Sequence, residues 1–347
     1  MSKFTNEKKS VKKQISRGGE IGKHDGFKIH CQQWLEGSSP SSGTKILNIK
    51  LTEKILRLII TIMYIDTHAH LNFNAFKEDS SEIIEKCLTD NIWMINVGTQ
   101  YITSKRAVEM ARKHEQGVYA AIGLHPMSLE TGLVKIKADP NETEERIGEK
   151  QFDYEKYKEL AVKNVNNGGK VVAIGEIGLD YYWRPKTQIR KKLFKQKQKE
   201  LLLEQLKLAK ELNLPVIFHC RMAHQDLVDI LKENKELIPE KAVAHGFVGT
   251  TEELEQYLEF GFSVGLNGII FKNIEGINFK ENIKKIPLEK ILLETDCPYL
   301  TPSPFEGERN TPLNLKYIAQ RVAETKNIRL EILVEAATNN AKNLFGI

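Results

Sequence analysis

The sequence predicts an α/β protein folded as a closed (β/α)8 barrel of the TIM type. From Ile62 onward, eight short β-branched or apolar runs alternate with longer helical patterns, and strands alternating with helices imply parallel pairing through crossover units. Residues 63 to 347 number 285, the usual size of such a barrel. Polar side chains capable of chemistry fall where the apolar runs finish, as they do around a barrel mouth. That distribution decides against the main rival, a doubly wound open sheet.

The first run, "IMYID", ends at Asp66, and His68 and His70 follow it at every second position. Alternate side chains of a strand share a face, so the three are expected to project together, which is costly without partners. The amphipathic "SEIIEKCLTD" follows, then the run "NIWMINVG", the helical "SKRAVEMARKH" and the run "GVYAAIG", after which comes His125. Residues 127 to 169 exceed an ordinary connection plus helix and contain the polar "KADPNETEERIGEKQ", so an exposed excursion near the mouth is expected. "KVVAIGE" ends in Glu176, and the helix after it, residues 188 to 212, is long and lysine-rich; its charges read as a solvated face. "LPVIFH" ends in His219, "KAVAHG" contains His245, "FSVGLNG" is the seventh run, and "KILLETD" ends in Asp296. Near-continuous apolar runs suit a parallel sheet whose outer face is covered by helices.

Charge divides the chain. Residues 1 to 62 hold 12 Lys plus Arg against 5 Asp plus Glu, a net of +7, which leaves the remaining 285 residues at −2 of the total of +5. The extension 1–61, rich in Lys, Ser and Gly, reads as a disordered leader or the product of an upstream start codon, with Met63 a natural alternative first residue; the barrel occupies 62–347. "ILRLIITIM" is too short for a membrane span and contains an arginine, and neither a signal peptide nor an anchor is expected. Cys31, Cys87, Cys220 and Cys297 are far apart and form no CxxC, so a reducing cytosol fits best and no disulfide framework is expected. A nucleic-acid role for the barrel must rest on local chemistry rather than on overall charge.

A single histidine at a strand end is ordinarily satisfied or solvent-facing. Five of them converging with Glu176 and Asp296 form a ligand set for zinc, manganese, iron or magnesium. His68 and His70 can share one ion, with Asp296 completing its shell. His219 and His245 can bind a second, and Glu176 has two oxygens to bridge both. Two such ions polarise a phosphoryl or carbonyl oxygen and lower the pKa of a bound water, so the expected reaction is metal-assisted hydrolysis.

"DTHAHL", "GLHP", "GEIGLDYY", "LPVIFHCR", "AHGF" and "LLETDCPYLTP" stand in the order and at the strand ends of the TatD family of metal-dependent deoxyribonucleases, within the amidohydrolase-like barrels, and the resemblance covers residues 63 to 347. It implies a TIM-type barrel, a divalent two-metal centre (Mg, Mn or Zn) and hydrolysis of phosphodiester bonds in DNA; a cytoplasmic monomer acting on single-stranded or frayed ends is expected. By this resemblance His68, His70 and Asp296 ligate the first ion, His219 and His245 the second, and Glu176 bridges. Asp296 is also the candidate proton acceptor, and Asp296 and Glu176 are the catalytic pair. His125 and Arg221 resemble residues near the reacting phosphate, and Arg309 and Asn310 resemble substrate contacts. Many related barrels bridge with a modified lysine, so a glutamate here favours the TatD-like branch. The chain departs from the family at Met222 and Ala223, where an aspartate is common, and in writing AHGF for AHCF. Two other readings stand beside this one: an amide, lactone or ester hydrolase, including D-aminoacyl-tRNA deacylation, and a non-catalytic nucleic-acid adaptor with a basic tail.

Overall fold

The computed structural model describes residues 62–134, 148–165 and 169–347. The extension 1–61 and most of "KADPNETEERIGEKQ" lie outside the described residues. All eight runs are strands: β1 (Tyr64–Ala69), β2 (Ile92–Val97), β3 (Val118–Ile122), β4 (Val171–Asp180), β5 (Val216–Arg221), β6 (Ala242–Ala244), β7 (Ser263–Leu266) and β8 (Ile291–Leu293). They form one parallel sheet in chain order. The helices are α1 (Ser80–Thr89), α2 (Tyr101–Ala111), α3 (Tyr154–Val165), α4 (Gln188–Leu212), α5 (His224–Glu233), α6 (Thr251–Glu259), α7 (Phe279–Lys285), α8 (Leu315–Lys326) and α9 (Leu330–Phe345). The excursion after β3 thus contains a helix of its own, α3, together with an isolated bridge between Leu129 and Glu149.

Alternation sorts each strand into two layers. Ile95, Ala121, Ile217, Val243 and Leu292 pack together inside the barrel, while Met94, Ala120, Phe218, Ala244 and Leu293 pack outward against helices. A fully buried Leu or Ile stabilises by about 1.5–3 kcal/mol relative to exposure, so both layers are needed. The end of α9 closes the bottom, with Leu344 and Phe345 joining the interior layer. Thr338 Oγ1 donates to Met63 O at 2.6 Å, anchoring that helix to the start of β1.

The expectation that Asp66 shares a face with His68 and His70 is corrected. Ile65 lies in the interior layer but Ala69 and Leu71 lie in the outer one, because the β1–β2 register shifts between Asp66 and Ala69. The shift changes the phase of alternation, so the two histidines face inward without Asp66. Asp66 instead closes the sheet: its Oδ1 accepts from Thr295 N at 2.9 Å and His68 N at 3.2 Å, and its Oδ2 accepts from Thr295 Oγ1 at 2.5 Å. Asp296 N donates to His68 O at 2.8 Å and His70 N to Cys297 O at 3.0 Å, completing the seam.

Burial pushes the Asp66 carboxyl up to about 7, outweighing the hydrogen bonds from Thr295 and His68 that favour its charged form. An unfolded aspartate titrates near about 4, so the folded state holds this proton more tightly than the unfolded chain does. The resulting stability is fully present below pH about 4 and is lost as the pH climbs through about 7. Asp66→Asn, which keeps the shape without the charge, is expected to flatten that part of the profile. Thermal unfolding of both proteins across this range checks it, and parallel curves would refute it.

α4 carries two buried glutamines that place strand ends. Gln198 accepts from Asp180 N at 2.9 Å and donates to Asp180 O at 3.1 Å, and Gln205 accepts from Leu124 N at 2.7 Å and donates to Leu124 O at 2.9 Å. Both are 0% exposed, so the polar character of "KQKQKELLLEQ" is only partly a solvated face.

Candidate metal centre

The inward phase of each strand runs on past its last apolar residue into the site. Ile217 is followed by His219 and Arg221, Val243 by His245, and Leu292 by Glu294 and Asp296, each two residues further along. The six residues expected as ligands come together at the C-terminal mouth. His68 Nε2 lies 3.2 Å from His70 Nε2 and 3.5 Å from Glu176 Oε2. Asp296 Oδ1 is 3.4 Å from His70 Nε2, 4.0 Å from His68 Nε2 and 3.9 Å from His245 Nε2. The other oxygen of Glu176, Oε1, is 2.6 Å from His219 Nδ1 and 3.7 Å from His245 Nε2. Glu176 therefore reaches both groups of rings.

Neighbouring acceptors orient these rings. His70 Nδ1 pairs with Val97 O at 2.8 Å and His245 Nδ1 with Glu294 Oε2 at 2.9 Å, which fixes Nδ1 as the protonated nitrogen and turns Nε2 toward the centre. Glu294 Oε2 also accepts from Gly246 N at 2.9 Å. His68 Nδ1 is buried without a hydrogen-bond partner, so its Nε2 is the nitrogen with company. Asp296 sits at a φ of 57°, a left-handed conformation disfavoured outside glycine, held by its bond to His68 O and by Tyr299 N donating to its own carbonyl at 2.9 Å.

Electrostatics follow from crowding acids and imidazoles. Burial alone would lower His245 and His219, but Glu294 and Asp296 carry His245 up to about 10, and Glu176 and Asp180 carry His219 up to about 9. Burial alone would raise Glu176 and Asp296, but the neighbouring rings, His125 and His219 for the one and His245 and His70 for the other, hold both below the ordinary carboxylate range. Among the described residues, no lysine or arginine pairs with either carboxylate. Buried carboxylates facing imidazole nitrogens, compensated only by protons that those rings can give up, fit divalent ions.

Three expectations need adjustment. Arg309 makes a bidentate ion pair with Asp79, donates to Ala75 O and lies over the Phe76 ring at 4.5 Å. Asn310 is 0% exposed, and its amide donates to Thr295 O at 2.9 Å and Tyr299 O at 2.7 Å while its oxygen accepts from Thr311 and Asn314. Both side chains are committed to holding the loop after β8, which leaves Asn310 no group to offer a substrate. The departure at Met222 leaves Arg221 supported: Asp180 Oδ2 accepts from its Nε at 2.8 Å and meets its terminal nitrogen at 2.7 Å. Meanwhile His125 joins the cluster, its Nδ1 accepting from Met127 N at 3.0 Å and its Nε2 3.7 Å from Glu176. Burial and then the charge of His219 lower it to about 3, so it is a neutral ring presenting an Nε2–H.

Asp180 and Glu294 are site residues that the reading of strand ends missed. Asp180 Oδ2 takes His219 Nε2 at 3.0 Å as well as Arg221. The signal lay in spacing: Asp180 stands four residues after Glu176 and Glu294 two before Asp296, in phase with them.

A (β/α)8 barrel with inward histidines and carboxylates at its mouth is the frame of a metal-dependent hydrolase. Residues 65–346 match the family model described as TatD related DNase. The chain belongs to that family. It is 38% identical over 288 residues to the metal-dependent hydrolase YabD of Bacillus subtilis (strain 168), covering 82% of this chain and 100% of the relative. It is 33% identical to the 3′-5′ ssDNA/RNA exonuclease TatD of Pantoea ananatis (strain LMG 20103), covering 81% and 99%. Among solved structures, YjjV, a TatD homologue from Escherichia coli K12, superimposes with a TM-score of 0.66 at 30% identity, covering 82% of this chain and 98% of that one. A TatD family hydrolase from Entamoeba histolytica gives 0.64 at 26% identity, with the same coverages.

Proposed function

We propose that the protein is a cytoplasmic two-metal phosphodiesterase that removes nucleotides from single-stranded or frayed DNA ends and acts as a monomer. His68, His70 and Asp296 would hold one divalent ion, His219 and His245 the other, and Glu176 both. The observation that carries this reading is the position of Glu176, with one oxygen 3.5 Å from His68 and the other 2.6 Å from His219. When bound, the ions supply Lewis-acid polarisation of the phosphoryl oxygen and of the attacking water.

The chain's own groups do the rest. Asp296 Oδ1 faces the mouth beside His70 and accepts the proton of the attacking water. Arg221, held by Asp180, is a fixed cation for charge developing on the phosphate. His125 donates from Nε2 in its neutral form. Because His219 and His245 hold protons tightly, ion uptake must displace them, so affinity rises with pH. The nuclease name of the Pantoea relative supports the choice of phosphodiester over amide or ester.

The test is release of nucleotides from a 3′-labelled single-stranded oligonucleotide by the full chain with magnesium or manganese, beside a panel of amide, lactone, ester and aminoacyl-tRNA substrates. Release that a chelator abolishes is the expected result. Turnover of carbonyl substrates alone would overturn it.

A further inference from the structure

From Tyr181 to Lys199 the chain carries eight lysines and arginines and no acid. This stretch follows β4, the strand of Glu176, and it divides in two. Down the flank, Lys195 pairs with Asp226 at 2.8 Å and Lys199 with Glu233 at 2.7 Å. Nearer the mouth, Arg184, Lys186, Lys191 and Lys192 meet no acid among the described residues. A solvated helix face would spread its charges evenly; here five of the six that meet no acid among the described residues precede Leu193, Arg190 donating to Gly132 O at 3.1 Å, and Lys197 lies further down.

The same end displays apolar surface. Tyr182 is 54% exposed and Met222 59%. The Arg221 guanidinium lies 4.5 Å over the Tyr182 ring, and Trp183 meets that ring edge-on at 5.3 Å. Arg221 is tied to Asp180 and Asp180 to His219, so an exposed aromatic ring is connected to a candidate ligand through only two intervening side chains. An exposed tyrosine alone means little. A ring held at a set position by a cation, beside free positive charge and a hydrolytic centre, is what base stacking along a single strand requires.

Resting on the nuclease reading above, we propose that Tyr182, with Arg221 over its ring, is a stacking subsite for the base adjoining the cleaved phosphodiester. Arg184, Lys186, Lys191 and Lys192 track the backbone of the strand as it leaves the mouth. The subsite makes the enzyme prefer strands with bases to bare sugar-phosphate, without reading which base is present.

The experiment compares a short single-stranded deoxyoligonucleotide with an abasic strand of the same length, by fluorescence anisotropy and by cleavage with manganese. Tyr182→Ala is expected to weaken binding and kcat/KM on the base-bearing strand about tenfold and to leave the abasic strand unchanged, with Tyr182→Trp retaining both. Arg184→Ala combined with Lys186→Ala is expected to reduce the salt dependence of binding by about 0.7 per side chain removed. A wild-type protein that cleaves both strands equally, or Tyr182→Ala affecting both equally or neither, would overturn the subsite while leaving the nuclease standing. A wild-type protein that neither binds nor cleaves either strand would overturn both.

Discussion

Glu176→Gln is expected to lose bound divalent metal and to lower kcat/KM by on the order of a thousandfold, several kcal/mol of transition-state stabilisation. The side chain is 4% exposed and has each oxygen near a different group of rings. An amide has nearly the same volume but neither the charge nor a second acceptor, so on the two-ion reading proposed above one ion would lose its ligand and the repulsion between the two would lose its screen. The one amide oxygen left can still accept from His219 Nδ1, 2.6 Å from Glu176 Oε1, but an amide NH2 then faces His68 Nε2, 3.5 Å from Oε2. Elemental analysis of the purified variant beside a steady-state assay checks this. A variant that retained its full metal content and more than about a tenth of wild-type turnover would exclude the bridging role.

Gly265→Ala is expected to be nearly as damaging, although the residue touches no candidate ligand. A Cβ there would lie 1.9 Å from Glu294 Oε1 and 2.4 Å from Oε2. Glu294 is 0% exposed and is pinned by His245 Nδ1 and Gly246 N, so the carboxylate cannot swing aside while keeping those bonds. Once it is displaced, His245 loses the acceptor that turns its Nε2 inward, and loss of such a supporting partner costs about 10–100-fold in metal affinity or activity. Overpacking adds about 1–3 kcal/mol of destabilisation. Zinc or manganese titration with thermal unfolding reads both effects; an unchanged metal affinity would show that Glu294 does not orient the ring.

Much of this architecture was legible because parallel barrels write themselves plainly. Buried strands need apolar runs, and their carboxyl ends need polar residues only where chemistry happens, so His68, His70, Glu176, His219, His245 and Asp296 stood out against their surroundings. What was not legible depends on geometry that a one-dimensional pattern lacks. The phase change at Asp66 arises from a register shift with β2, a property of two strands rather than one. Gln198 and Gln205 sit among lysines in sequence but face inward on a helix whose buried side is set by packing. Arg309 and Asn310 lie close in sequence to a site residue, and only the fold shows their hydrogen bonds spent on the loop itself. Asp180 and Glu294 shared the parity of Glu176 and Asp296 and were hidden by standing in the same motifs as residues that drew attention first.

The seam between β1 and β8 ties together residues 229 positions apart, Asp66 and Thr295, and the plug beneath it is the last helix of the chain. A polypeptide still emerging from the ribosome therefore holds His68 and His70 long before it holds Asp296, and its barrel stays open at the bottom until α9 has emerged. Such non-local closure is slow and comes late, so the candidate site is assembled only after the helix Leu330–Phe345 is available to close the barrel. A chain cut short before β8 holds His68 and His70 without Asp296, and so only part of the candidate ligand set.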